Sequence, residues 1–148
     1  MARTLKVLAV GSAGGHWTQL SRLLPAFDGH EVVLVSTMPQ EVGGRRFYQV
    51  DDASRDDKIG LIVLAAKALR ILLRERPDVV ISTGAAPGYV LIRIGRLLGA
   101  RTIWVDSFAN VDELSMSGRL VGRHCDLWLT QWAHLAKPGG PEFAGAVL

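Results

Sequence analysis

The chain has 148 residues, 49% of them hydrophobic and 21% charged, enough apolar material for one packed domain and too much for intrinsic disorder. Seventeen Lys and Arg against fourteen Asp and Glu leave a net charge of +3, a mild excess that suits phosphorylated ligands or an anionic membrane face. The four Trp and two Tyr do not interleave with basic residues as a surface that stacks single-stranded nucleic acid requires, which sets nucleic-acid binding aside.

The single cysteine, Cys125, has no partner for a disulfide, a CxxC pair or a zinc cluster and points to a reducing, cytoplasmic setting. The apolar run Val7 to Val10 stops at Gly11, so no secretory signal is read at the N-terminus. The longest apolar segment, Ile59 to Leu73, is interrupted by Lys67 and Arg70 and falls short of a membrane span.

Short apolar runs alternate with segments of helical period, the pattern of βα units. The expected fold is therefore α/β, a Rossmann-like parallel sheet flanked by helices. Leu5 to Val10 reads as the first strand and runs into Gly11-Ser12-Ala13-Gly14-Gly15-His16, after which Trp17, Leu20, Leu23 and Leu24 recur at helical spacing up to Pro25. Glu31 to Ser36 supplies a second strand, Met38 to Arg46 a loop, and Phe47 to Val50 a short third strand. A long helix follows from about Asp56, its expected cap, to Arg76, where Pro77 forbids continuation.

Asp78 to Ser82 forms the next strand. Thr83 to Gly88 opens a second small-residue turn, and Pro87 suits the first turn of a helix that reaches Leu98 before Gly99 stops it. Thr102 to Val105 and Cys125 to Thr130 read as further strands, separated by a polar loop and a short helix around Gly118 to Gly122. The tail from Lys137 lacks periodicity, which divides the chain into a folded domain over 1–136 and an extended arm over 137–148, expected to meet a partner.

Chemistry concentrates in the first glycine loop. Its three glycines with Ser12 and Ala13 let backbone N–H groups approach an anion at a helix N-terminus. No Gly-Lys-Ser/Thr follows, and the adjacent Gly14 and Gly15 spoil a dinucleotide fingerprint. A tight turn without ligand is the plain alternative. His16 sits at the helix start, where the positive end of the dipole favours a neutral ring able to bind phosphate or move a proton, or simply to cap and pack. The turn at Thr83 and Gly84 should reach the same sheet edge and share a cleft with it. Asp106 and Ser107 offer a third wall, with an N-cap as the alternative for Asp106.

No HxxxH, HxH or acidic cluster suggests a metal, His124 and His134 read as packing residues, and Cys125 reads as a small core residue. Lys67, Arg70 and Arg74 share one stripe of the long helix at i, i+3 and i+7. That stripe is either the solvated edge of a buried helix or the basic margin of an interfacial one.

Taken together, Gly11 to His16, Pro77 to Gly84, Val105-Asp106-Ser107-Phe108, Leu114 to Leu120 and Asp126 to Trp132 resemble the acceptor-side subunit of split GT-B glycosyltransferases. That family includes the membrane-recruiting subunit of the dolichol-linked chitobiose synthase and bacterial capsule and exopolysaccharide counterparts. The resemblance implies the N-terminal Rossmann-like half of a GT-B fold, a separate donor-binding catalytic subunit that holds the UDP-sugar, and a polyprenyl-diphosphate sugar acceptor at the cytoplasmic face of the membrane. It implies inverting, metal-independent transfer with no covalently bound cofactor, and a peripheral membrane location.

Carried over by position, Gly14, Gly15 and His16 match the loop near the acceptor diphosphate and reaction centre, with His16 the expected proton acceptor. Thr83 and Gly84 match the second loop. Asp106 and Ser107 match an acidic-serine pair, though relatives more often carry Glu where Asp106 stands and Arg where Asn110 stands, which removes a bidentate phosphate ligand. Two rivals keep their place: a stand-alone nucleotide- or phosphate-binding module, which would need only the glycine loop, and a non-catalytic adaptor docking through its arm.

Overall fold

A computed structural model describes residues 3–147. Met1 and Ala2, in the stretch searched for a signal, and Leu148, the last residue of the arm, lie outside the described residues. The runs of Val, Leu and Ile that read as buried strands form β1 (Lys6–Val10), β2 (Glu31–Ser36), β3 (Phe47–Gln49), β4 (Val79–Ser82), β5 (Arg101–Val105) and β6 (Leu127–Thr130), joined by a seventh, β7 (Glu142–Phe143). All pair in parallel in the order β3-β2-β1-β4-β5-β6-β7. Continuous apolar runs fit this arrangement because a parallel sheet is covered on both faces.

The helices are α1 (Gly15–Leu23), α2 (Lys58–Glu75), α3 (Ala85–Leu97) and α4 (Met116–Val121). One sheet face presents Leu8, Val10, Val33, Val35 and Val80 to Leu64, Ala68, Ile71 and Leu72 of α2, to Leu91 and Ile92 of α3 and to Val121 of α4. The opposite face presents Val7, Ala9, Leu34, Ile81 and Val105 to Leu20 of α1, with Trp17, Leu23 and Leu24 packed around it. Trp17 also meets Phe47 of β3 edge to face, ring centroids 6.4 Å apart.

Several boundaries shift by a residue or two from the sequence reading, and α3 begins at Ala85, inside the expected turn; three differences have a plain physical reason. Asp57, not Asp56, caps α2, because its Oδ1 accepts from the Gly60 N–H at 2.8 Å, and a cap sits two or three residues ahead of the donor it serves. Strand β6 begins at Leu127, later than Cys125. Gly122–His124 form a 3-10 turn closed by the Cys125 N–H on the Gly122 carbonyl, with Gly122 pressed beneath the Trp128 indole. Beyond Lys137 the chain is extended, but it is not a free arm: Glu142 and Phe143 pair with Leu129 and Thr130 and complete the sheet.

Candidate functional site

In a sheet of this order the chain leaves β1 in one direction and β4 in the other, and helices α1 and α3 lie on opposite faces. That reversal, above the carboxyl ends of β1 and β4, is where open α/β sheets of this kind form their ligand crevice. The two glycine turns stand on its walls. Neither α1 nor α3 has a side-chain cap, so the N–H groups of the first turn of α1, and of Ala85 and Ala86 in α3, where Pro87 carries none, are left for a ligand or water. Gly14, at φ 83°, and Gly84, at φ 143°, make the sharp entries into the two helices. Ala85 follows at φ 71°, a conformation that strains any residue with a Cβ and that clusters at functional sites.

The walls are bonded to each other. His16 Nδ1 lies 3.0 Å from the Thr83 carbonyl, and Thr83 Oγ1 donates to the His16 carbonyl at 2.7 Å. A carbonyl only accepts, so Nδ1 carries the ring proton and Nε2 of the neutral ring keeps a free lone pair. The ring lies against Gly84, where a Cβ would stand 2.5 Å from its Cε1 and Nδ1. Thr83 is fully buried and Ser12 nearly so, while the Ala13 N–H is held by Thr37 Oγ1 at 3.2 Å. The structure therefore brings Ser12, Gly14, Gly15, His16, Thr83 and Gly84 to one crevice.

Asp106 and Ser107 end at the same edge but face inward. Asp106 is 1% exposed, and its carboxylate accepts from Trp104 Nε1, Asn110 Nδ2 and both the N–H and Oγ of Ser115. With both oxygens engaged it fastens the 107–115 loop rather than offering a charge to a ligand, a correction to its reading as a binding residue. Nor does it cap the helix that follows; Ser115 does, accepting from the Gly118 N–H. Ser107 Oγ accepts from Gln19 Nε2 and the Ala109 N–H, so it too serves the loop.

Two residues to which the sequence reading gave no role hold this edge together. Gln19, on α1, donates through Nε2 to the Gly15 carbonyl and Ser107 Oγ, and accepts through Oε1 from the Phe108 N–H. Gln131, just past β6, donates to Gln19 Oε1 and the Asp106 carbonyl and accepts from the Val147 N–H. Both are almost wholly buried. A buried amide needs its donors and acceptors satisfied, and here that demand ties the glycine loop, the β5 loop and the C-terminal segment into one network. For Gln19 the sequence offered only a polar residue within an amphipathic helix; Gln131 stood inside the stretch Asp126 to Trp132 without an assigned part.

Of the basic stripe on α2, Lys67 is paired with Asp51 at 2.7 Å. Among the described residues neither Arg70 nor Arg74 has an acidic partner within salt-bridge distance. Cys125 is packed against the core and burial pushes its thiol up to about 11, so it stays protonated and inert near neutrality. His124 and His134 lie away from the crevice, His134 bonded to the Val111 carbonyl. Among the described residues no group of His, Cys, Asp and Glu could hold a metal ion, and no helix is long and apolar enough to cross a membrane.

A family model described as "Oligosaccharide biosynthesis protein Alg14 like" matches residues 45–146, well over half of the chain. The chain belongs to the Alg14 family. It is 33% identical over 78 residues to the UDP-N-acetylglucosamine transferase subunit ALG14 of Yarrowia lipolytica, covering 49% of this chain and 36% of that protein. To human ALG14, of the same description, it is 24% identical over 89% of this chain and 77% of the relative. Among solved structures, MurG from Acinetobacter baumannii superposes with a TM-score of 0.78 at 14% identity over 94% of this chain and 45% of MurG. A UDP-N-acetylglucosamine 2-epimerase from Rickettsia bellii gives 0.67 at 15% identity, over 89% of this chain and 40% of that one. This Alg14-family fold thus corresponds to one Rossmann-like half of a GT-B architecture.

Proposed function

We propose that this chain is the acceptor-side half of a two-component glycosyltransferase, active only with a separate donor-binding subunit. The observation that carries the reading is the pairing of two helix N-termini without side-chain caps, tied together by His16, with Nε2 of that ring free. The fold supplies one wall of a GT-B cleft, and the relatives' description as transferase subunits supports the reaction class. The N–H groups beside Gly14, Gly15 and Gly84 bind the diphosphate of a polyprenyl-linked sugar. His16 Nε2 takes the proton of the attacking acceptor hydroxyl as that oxygen bonds the anomeric carbon, and UDP leaves with the electron pair of the broken bond.

Transfer is inverting and needs no metal, since the developing charge on UDP is met by the partner chain that holds the donor. Chemically the product is a lipid-linked oligosaccharide of the kind used for capsule or exopolysaccharide, assembled at the cytoplasmic face of a membrane where this chain is peripheral. The segment from Lys137 contributes to the contact with the partner.

The test is co-expression with a donor-binding partner chain and an assay of sugar transfer from UDP-GlcNAc to a prenyl-diphosphate sugar. His16→Ala should lower turnover by at least about 100-fold while the complex still forms. Full turnover in that variant removes His16 as the base. Full turnover by the isolated chain, or tight UDP-sugar binding by it in calorimetry, overturns the half-cleft reading in favour of a self-sufficient module.

A further inference from the structure

The loop after β5 is held far more firmly than its exposed side chains require. Three side chains of the segment after β6 donate to its carbonyls in turn: Gln131 Nε2 to Asp106, Trp132 Nε1 to Phe108 and His134 Nε2 to Val111. Gln19 Oε1 accepts the Phe108 N–H, and Ser107 Oγ accepts that of Ala109. Both backbone groups of Phe108 are thus committed, yet its ring is 37% exposed. A lone apolar side chain in water is ordinary; this one is fixed at the rim of the site. The Gln19 carboxamide that holds the Phe108 N–H also donates to the Gly15 carbonyl, so Phe108 stands one side-chain amide away from the glycine loop. Beside it, residues 109–113 line a shallow hollow of about 290 Å³. Asp112 and Glu113 are exposed there. Glu113 lies 3.9 Å from Arg119, while Asp112 has no basic partner among the described residues.

We propose that Phe108 is the platform for the acceptor's sugar: the pyranose lays a C–H face on the ring, and its hydroxyls donate to the Asp112 carboxylate. C–H bonds beside the sugar's oxygens carry partial positive charge, and the face of an aromatic ring is their negative complement. A carboxylate accepts strongly from hydroxyls but repels phosphate, so this rim suits the neutral sugar and leaves the diphosphate to the N–H groups of the glycine loop. Because the loop is fixed before any ligand arrives, little freedom is lost on binding. Trp132 is a positioning residue in this scheme, acting through the Phe108 carbonyl. A prenyl chain is a poorer occupant, since it would lie against two exposed carboxylates and cover them without a partner. The inference rests on the acceptor-side reading and deepens it, naming the group that tells a sugar-bearing acceptor from the bare lipid diphosphate.

The experiment is calorimetry on the full chain with two water-soluble probes, geranyl diphosphate and the same diphosphate carrying a terminal N-acetylglucosamine. The parent chain should bind the sugar-bearing probe about tenfold tighter. Phe108→Leu keeps the apolar bulk and removes the aromatic face; it should reduce that preference by about fivefold, with affinity for the bare probe and melting temperature unchanged. Phe108→Trp should retain the preference, and Trp132→Phe, which deletes the donor to the Phe108 carbonyl, should cost about twofold of it. Equal affinity of the parent for the two probes, or a preference that Phe108→Leu leaves intact, overturns the proposal while the acceptor reading stands. Weaker binding of the bare probe by Phe108→Leu overturns it by assigning the ring to the prenyl chain. Loss of the donor-binding chain from a pull-down with Phe108→Leu overturns it by assigning the ring to the partner. Binding of neither probe refutes the acceptor reading itself, and this subsite falls with it.

Discussion

A methyl group on Gly84 would stand 2.5 Å from Cε1 and Nδ1 of His16, and φ 143° is a conformation a side-chain-bearing residue rarely adopts. Gly84 and His16 therefore work as a unit: the absence of a Cβ makes the seat, and the Thr83 carbonyl fixes which nitrogen carries the proton. Gly84→Ala should displace the ring and reduce turnover of the partnered complex nearly as much as removing the imidazole, while binding of the partner chain persists. Kinetics of the two variants side by side, with a pull-down of the complex, check this. That Gly14, Gly15 and His16 stand together at one helix start was legible, because small residues before a helix mark a sharp turn. Asp106 was misread because its type and its place at a strand end are the same for a ligand-binding carboxylate and for one turned inward; only its four donors tell them apart.

The long helix α2 shows how an element's two ends can be set by different forces. Asp57 opens it by capping, and Arg76 closes it in the left-handed conformation, φ 48°, before Pro77. Its last residue, Glu75, has no exposed side-chain surface and takes bonds from Tyr48, Arg46 and Lys6, so it clamps α2 to β1 and β3. Burial alone would raise its pKa, but the Tyr48 hydroxyl and the two cations outweigh that and hold the carboxyl below its ordinary range. A group depressed in this way contributes stability that is complete above its unfolded pKa, about 4.3, and is lost as pH falls through the lower folded value. Urea titrations should show stability declining below that pH. Glu75→Ala should cost about 3 kcal/mol at neutral pH, because it leaves buried polar partners unmatched, and should flatten the acid limb. The helix ends were readable from Asp and Pro; the clamp was not, since its members are far apart in the chain.

For the molecule as a whole, the segment after Lys137 changes meaning once it is folded. It adds β7 to the sheet, and the stretch 144–147 lines a small cleft with Leu23, Val105 and Leu129, with the Val147 N–H bonded to Gln131 and the Val147 carbonyl near Arg22. Truncation after Gly140 should lower the melting temperature by several degrees, as loss of a few kcal/mol does in a domain of this size, and should weaken capture of the partner chain. An unchanged melting temperature would show that the segment contributes nothing to this fold.

The alternation of apolar runs and helical periods set the α/β class, six of the strands and every long helix, because burial on both faces of a parallel sheet writes continuous apolar stretches into the chain. The glycine turns likewise announced the sharp entries into α1 and α3, since left-handed backbone favours glycine. Strand order, the joining of His16 to Thr83, the inward turn of Asp106 and the Gln19–Gln131 network came from folding alone. Each depends on contacts between residues that are remote in sequence, and local pattern carries no record of which distant partner a polar side chain will find.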